Sequence, residues 1–434
     1  MSSESDNVEL ANVPQVGLSM AQSLFILFVA FLGWMFAGSV MNVIPLAGRP
    51  AIISFLPESL PDSQIEGEVG KWFARYICAF LLGAATGGLL FGWLGDKIGR
   101  AKAMAASILC YSLITGVSYY ATSLEQLFVL RFIACLGIGG MWPNGVALAS
   151  EAWSEGSRPL LAGLIGTAAN VGFVIVGLLA KYVRDVTIED WRWVFALAGL
   201  PALLGVLAWF TLPESPRWLA QRNSDGDAKH TPSMTTVFKP PYLGITIIGI
   251  CLGTIPLLGG WGTLNWTIPW ADQVGGADDP KLKATISICR STGATLGSLL
   301  GGWLASQFGR RSTYFVISFL SLACSGYLFW NLTPLSPTFT IWVFMLGFFG
   351  TIYFGWLPLY LPELFPTHIR ATGSGVTFNF GRIVSAIGVL GTGALLNTFH
   401  GDYAQVGRWT HLIYLLGMIV ILFAPDTTGK KLDD

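Results

Sequence analysis

A helix needs about 20 consecutive apolar residues to cross the hydrocarbon core of a bilayer. This chain offers such a stretch twelve times, at roughly 22–46, 72–92, 101–121, 126–149, 160–180, 192–212, 242–265, 284–304, 312–330, 338–361, 371–396 and 409–424. No water-soluble fold can cover that much apolar surface. Only 12% of the 434 residues are charged and 53% are apolar, against about 25% charged in ordinary globular proteins. The 25 basic and 25 acidic side chains cancel, so nothing points to nucleic acid. Soluble enzymes, nucleic-acid binders and disordered chains are excluded. What remains is an all-α membrane protein of twelve transmembrane helices.

The longest hydrophilic interruption, 213–241, divides the spans six and six. The reading is thus a tail (1–21), a six-helix bundle (22–212), a central loop (213–241), a second six-helix bundle (242–424) and a tail (425–434). Residues 1–21 lack a basic stretch, so no cleavable signal peptide is expected. An even number of crossings puts both tails on one side. If that side is cytoplasmic, thirteen Lys/Arg fall in cytoplasmic segments, eight in outer loops and four within spans. The bias favours cytoplasmic tails, and the expected location is a cell (inner or plasma) membrane. The six cysteines all lie in apolar runs without metal-ligand spacing, so neither a zinc site nor a disulfide framework is expected.

The two halves repeat each other. Residues 83–100, GAATGGLLFGWLGDKIGR, align with 293–310, GATLGSLLGGWLASQFGR, with ten identities in eighteen. At an offset of 212, Glu151 and Arg158 match Glu363 and Arg370. Parallel halves related about the membrane normal are the architecture of a rocking transporter.

Several motifs sit in that frame. Gly92 to Arg100 resembles the loop signature of the major facilitator superfamily; its second copy, Gly302 to Arg311, has Ser306 in place of the aspartate. Arg131 with Gly137, Gly139 and Gly140 is similar to the superfamily's span-4 signature. Pro213-Glu214-Ser215-Pro216-Arg217-Trp218-Leu219 resembles the sequence that follows span 6 in sugar porters. Met141 to Leu148, Glu151-Ala152-Trp153 and Leu361 to Arg382 resemble carboxylate, sialate and aromatic-acid symporters. The resemblance covers about 22–424. It implies two six-helix bundles moving a solute by alternating access. Two positions depart from it: Ala37 and Met141 stand where such relatives carry acidic residues.

Charge inside the spans is the most informative chemistry. By this map every acidic residue lies outside the span interiors, while Arg75, Arg131, Arg290 and Arg382 lie within. A charge at a helix centre costs at least about 2.5–3.5 kcal/mol, so each arginine needs water or a partner. An anionic substrate would supply one. At 1.5 Å per residue, Arg75 lies about 5 Å deep and can snorkel; Arg131 and Arg290 lie about 10 Å deep and Arg382 about 17 Å. Arg290 belongs to no motif and is the leading substrate-carboxylate candidate, with Arg382 beside it. Arg382 can instead bond helix carbonyls. Arg131 fits a structural or gating role.

Asn42, Asn144, Asn170, Asn265 and Asn379 lie in or at the edges of spans, where amides either line a pocket or join helices. Asn144, Asn170, Asn265, Asn379 and Trp266 complete the candidate substrate site. Trp261, Trp266 and Trp270, with Tyr353, Trp356 and Tyr360, either stack a ring or form an interfacial belt, the commoner role. Asp96 and Arg100, with the pairs Glu151/Arg158 and Glu363/Arg370, can form charge-assisted contacts that gate the cytoplasmic face. With Ala37 and Met141, no carboxylate within the spans remains to shuttle a proton, so uniport and exchange stand beside proton symport.

The leading expectation is a carrier of a small organic anion such as a carboxylate, sugar acid or aromatic acid. A neutral sugar or polyol carrier is the alternative, and a non-transporting sensor a weaker one. The partners expected are that solute, a proton not assignable to a residue, and the lipid bilayer. Neither a cofactor nor a metal is expected, and the chain is not read as an enzyme.

Overall fold

A computed structural model describes residues 18–153, 158–223, 234–366 and 369–428. The first half is built from α1 (Met20–Phe55), α2 (Asp62–Ile98), α3 (Arg100–Val117), α4 (Leu124–Ala152), α5 (Arg158–Tyr182), α6 (Arg192–Leu197) and α7 (Ala202–Thr211), with α6 and α7 together making span 6. A short helix, α8 (Pro216–Asn223), follows. Span 7 is broken: α9 (Leu243–Leu258) passes into a π turn (Gly259–Thr263), a 3-10 turn (Leu264–Trp266) and α10 (Thr267–Gly275). The remaining spans are α11 (Leu282–Phe308), α12 (Arg310–Asn331), α13 (Phe339–Glu363), α14 (Arg370–Thr398), and α15 (Tyr403–Thr410) with α16 (Ile413–Phe423).

These segments are helical for local as well as compositional reasons. Ser19 and Gln22 form a reciprocal capping box at the start of α1, and Ser123 and Asp402 cap α4 and α15. Such caps satisfy donors that the first turn leaves free. Eleven of the twelve crossings are long and apolar enough to span by composition alone. The other is α11, whose many Ser, Thr and Gly residues accompany Arg290.

The repeated Gly-Arg motif has a backbone cause. Gly99 and Gly309 adopt φ of 103° and 86°, and the next helix begins at Arg100 and Arg310. Only glycine takes that conformation without strain. Tyr111 in α3 donates to the Gly33 carbonyl of α1, and Tyr314 in α12 to the Leu252 carbonyl of α9, both at 2.9 Å. The same 212-residue step relates Glu151 to Glu363 and Ser215 to Thr427. Accordingly, the Ser215 hydroxyl donates to Glu151 and the Thr427 hydroxyl to Glu363.

Each half packs internally, α2 on α4 and α1 on α5 in the first, α11 on α13 and α9 on α14 in the second. The halves meet along two seams, α2 with α14 and α5 with α11. The α1–α5 packing leaves no room for a side chain at Gly172, where a Cβ would collide with the Met35 carbonyl. Overpacking costs about 1–3 kcal/mol. Gly172→Leu is therefore expected to lower the unfolding temperature in detergent by at least several degrees; an unchanged melting curve would contradict this packing.

With twelve crossings, the described ends near Leu18 and Thr428 share one face, called proximal here. The opposite face is distal.

Candidate functional site

Arg290 projects from α11 and is 4% exposed. Its guanidinium donates to the Asn265 side-chain oxygen in the 3-10 turn of span 7, to Asn42 Oδ1 of α1 at 3.1 Å, and to Ser291 Oγ at 3.4 Å. It also lies over the ring of Phe173 in α5, 5.2 Å from the centroid. Asn42 donates in turn to the Phe173 carbonyl at 3.2 Å and to Ser287 Oγ at 3.0 Å. Asn170, in α5, donates to the Ala294 carbonyl one turn along α11, at 3.5 Å. Both halves thus converge on one guanidinium, and every hydrogen-bond partner described for it is neutral.

The other intramembrane arginines have different surroundings. Arg131 in α4 donates to the carbonyls of Val40 at 2.9 Å and Met41 at 3.5 Å in α1. Residue 45 is proline, so the Met41 carbonyl has lost its helical donor four residues on. Arg131 replaces that donor. Arg382 in α14 reaches across the seam to the Ala84 carbonyl of α2 and also bonds Asn379 Oδ1, both at 3.3 Å. Arg75 is exposed and lies 4.4 Å over the Trp72 ring.

The remaining members of the candidate site divide. Asn265 joins the Arg290 group, whereas Asn170 bonds the Ala294 carbonyl one turn away; Asn379 belongs with Arg382. Asn144 does neither: it is fully buried and donates to the carbonyls of Phe91 and Gly140, bracing α4 against α2. Trp266 packs on Phe73 and Tyr403, with ring centroids 4.9 and 6.1 Å away. The aromatic belt is also corrected, because Trp261, Trp266, Trp270, Tyr353, Trp356 and Tyr360 are all buried. Tyr353 and Trp356 pack on Tyr314, and Trp356 stacks on Tyr360. They lie within spans 7 and 10, on faces turned inward.

At the proximal face, the contacts described for Asp96, Arg100, Glu151 and Glu363 stay within their own halves. Arg100 pairs with Asp96 at 2.7 Å, Glu214 accepts from the Ala101 amide at 3.1 Å, and the Trp218 indole donates to the Asp96 carbonyl at 2.9 Å. In the second half, Arg310 grips Glu363 through two nitrogens, at 2.8 and 3.1 Å. The expected partner of Glu363 was Arg370; the structure gives it Arg310, because the Gly309 turn brings the first residue of α12 to the end of α13. The side chain of Arg158 lies outside the described residues.

This repeated arrangement of Gly-Arg turns and paired helix-end charges is accompanied by a family match. The Major Facilitator Superfamily model matches residues 23–389. The chain belongs to the major facilitator superfamily. It is a multi-pass membrane transporter. A Bacillus subtilis protein provisionally named a niacin/nicotinamide transporter, NiaP, is 30% identical over 93% of this chain and 96% of its own length. The cis,cis-muconate transport protein of Acinetobacter baylyi is 29% identical, over 78% of this chain and 82% of its own. Among solved structures, the inward-open xylose transporter XylE of E. coli superposes with a TM-score of 0.73. That match spans 94% of this chain and 98% of XylE at 19% identity, a likeness of fold.

For this superfamily member, the sequence reading missed one charged group altogether. Arg49, Glu66, Asp272 and Lys283 meet at the distal ends of the helices. Asp272 is 8% exposed and lies within the span-7 helices, so the spans do contain a carboxylate. The helices overshoot the apolar windows: α1 runs to Phe55 and α10 to Gly275. Charges counted as loop residues are therefore helical and packed. A cation three residues past an apolar window, with acids a few residues past others, was the available signal.

Proposed function

We propose that this transporter carries a small organic anion by alternating access, with the carboxylate held by Arg290. The observation behind this is a nearly fully buried guanidinium between the halves whose described hydrogen-bond partners are neutral amides, a neutral hydroxyl and no carboxylate. Amide dipoles solvate a cation but leave its charge in place, and a buried uncompensated charge is costly. An incoming carboxylate removes that cost and takes up the fork geometry of arginine. Asn42 and Asn265 then exchange partners from Arg290 to solute. Because Asn42 and Phe173 belong to one half and Arg290 and Asn265 to the other, solute binding acts where the two bodies meet.

Niacin and muconate, named for two relatives, are carboxylic acids, which agrees with this reading. The neutral-sugar alternative drew on Pro213 to Leu219. In the structure Glu214, Ser215 and Trp218 bond helix ends at the proximal face, which accounts for that motif without a sugar. Arg382 and Asn379 form a second polar group, Asp96, Arg100, Glu151, Arg158, Glu363 and Arg370 act at the proximal gate, and Arg131 steadies α1. The charge bias of the loops supports a cytoplasmic proximal face, and we read the membrane as a cell (inner or plasma) membrane.

A thermal-shift comparison of organic acids with neutral sugars tests this directly. A ligand at 100 times its dissociation constant stabilises the folded state by about 2.7 kcal/mol. Acids are expected to raise the melting temperature and sugars to leave it unchanged. Stabilisation by sugars alone would overturn the anion reading.

A further inference from the structure

The distal face is closed by charges drawn from both halves. Arg49, from α1, bonds Glu66 of α2 through Nε at 3.0 Å and pairs with it through Nη2 at 2.5 Å. Its third nitrogen crosses to Asp272 of α10 at 3.1 Å. Asp272 also accepts from Lys283 of α11 at 2.6 Å, and Lys283 is 2% exposed. The Tyr403 hydroxyl of α15 crosses back to Glu66 at 3.1 Å. Asp185, in the loop after α5, is a further negative charge acting on Lys283.

The membership of this cluster is ordered. The two shortest ion pairs, Arg49–Glu66 and Lys283–Asp272, each lie within one half. Among the described residues, Arg49–Asp272 is the ion pair that crosses between halves, and Tyr403–Glu66 is the hydrogen bond beside it. If the halves part at this face, those are the charged and hydrogen-bonded contacts of the cluster that break, along with apolar packing such as Phe73 on Trp266. Each half keeps a neutral pair, so neither opening nor closing strands a lone charge. That matters because desolvating a single ion costs several kcal/mol, whereas a retained partner offsets much of it. A transporter must visit both states, which requires them to lie within a few kcal/mol of each other. A latch of two pre-neutralised pairs meets that requirement.

We propose that Arg49, Glu66, Asp272, Lys283 and Tyr403 form a charge-balanced latch on the distal gate, in which Arg49–Asp272 sets the balance between distal-closed and distal-open states. The residues position the halves and need not touch solute. The latch rests on alternating access and not on the anion at Arg290, so the two can fail separately.

The test uses the full chain in lipid nanodiscs, with spin labels at Glu58→Cys and Asp278→Cys, exposed positions on opposite halves. The partly exposed native cysteines Cys110, Cys251 and Cys289 are replaced by serine. Electron–electron distance distributions then report the distal gate. The Asp272→Asn/Lys283→Met double variant removes the crossing ion pair, leaves Arg49 with Glu66 and strands no lysine. It is expected to raise the ratio of distal-open to distal-closed protein about tenfold. Tyr403→Phe, a milder change that should fold in any case, is expected to shift it about threefold the same way. Asp190→Asn, which breaks the Arg184–Asp190 pair within one half, is the control and should shift nothing. Unchanged distances in folded Tyr403→Phe and in the double variant would overturn the latch. So would an equal shift in the Asp190→Asn control.

Discussion

Arg290→Gln is expected to weaken binding of the carried anion about 100-fold while leaving a protein that melts no lower than the parent. The two halves of that result have one cause. Glutamine can still donate to Asn42 or Asn265, so the local hydrogen bonds have a replacement. The charge, however, is gone, and with it the penalty of holding an unneutralised guanidinium among amides. Stability in the absence of solute should be equal or higher. Binding loses a charge-assisted, two-pronged contact worth about 3 kcal/mol, a factor on the order of 100 in dissociation constant. Arg290→Lys should recover only part of it, because an ammonium cannot serve Asn42, Asn265 and a carboxylate in one plane. Isothermal titration of folded variants against an organic acid that stabilises the parent separates these outcomes. Wild-type affinity in Arg290→Gln would remove the residue from the site.

Arg131→Met should show the opposite pattern. Arg131 donates to the Val40 and Met41 carbonyls of α1, and Pro45 has taken away the helical donor for the second of these. In an apolar environment an unpaired carbonyl costs about 1–3 kcal/mol. We expect a loss of about 3 kcal/mol in stability, read as a lower melting temperature, with little change in the affinity of the protein that remains folded. A companion substitution makes the mechanism specific: Pro45→Ala restores an amide donor to the Met41 carbonyl. Arg131→Met should therefore cost less on a Pro45→Ala background, by about 1 kcal/mol in a double-mutant cycle. Strict additivity would show that the arginine is not standing in for the missing helical bond.

Much of this architecture is legible in the sequence because hydropathy and repetition are properties of the chain itself. Twelve apolar runs, a six–six division and the recurrence of Gly-Arg require no knowledge of neighbours. The buried Arg290 is legible for the same reason: an arginine inside an apolar run has nowhere to go unless something receives it. Pairings are harder. Glu363 was matched with Arg370 by proximity and repeat, yet it binds Arg310, because helix ends meet through the fold and not through sequence distance. Asn144 reads like a pocket amide, but a side-chain amide satisfies two carbonyls as readily as a solute, and here it does so between α2 and α4. Tryptophans near the end of an apolar run suit a lipid interface equally well as a core; only packing decides, and here it chooses the core. The distal cluster escaped because an apolar window ends where hydropathy falls, whereas α1 and α10 continue beyond it.

The stretch that follows α7 plays two parts at once. It begins the connection that stitches the bundles into one chain, and Glu214, Ser215 and Trp218 within it fasten the ends of α2, α3 and α4. The second bundle is bolted directly from helix to helix by Arg310 and Glu363. The far end of the stitch is anchored as well: Val237 is buried in the core of the second bundle, and its carbonyl accepts from Thr246 of α9 at 2.7 Å. Tether and brake are a single piece, so a swing of the bundles should be felt through the stitch at the foot of each.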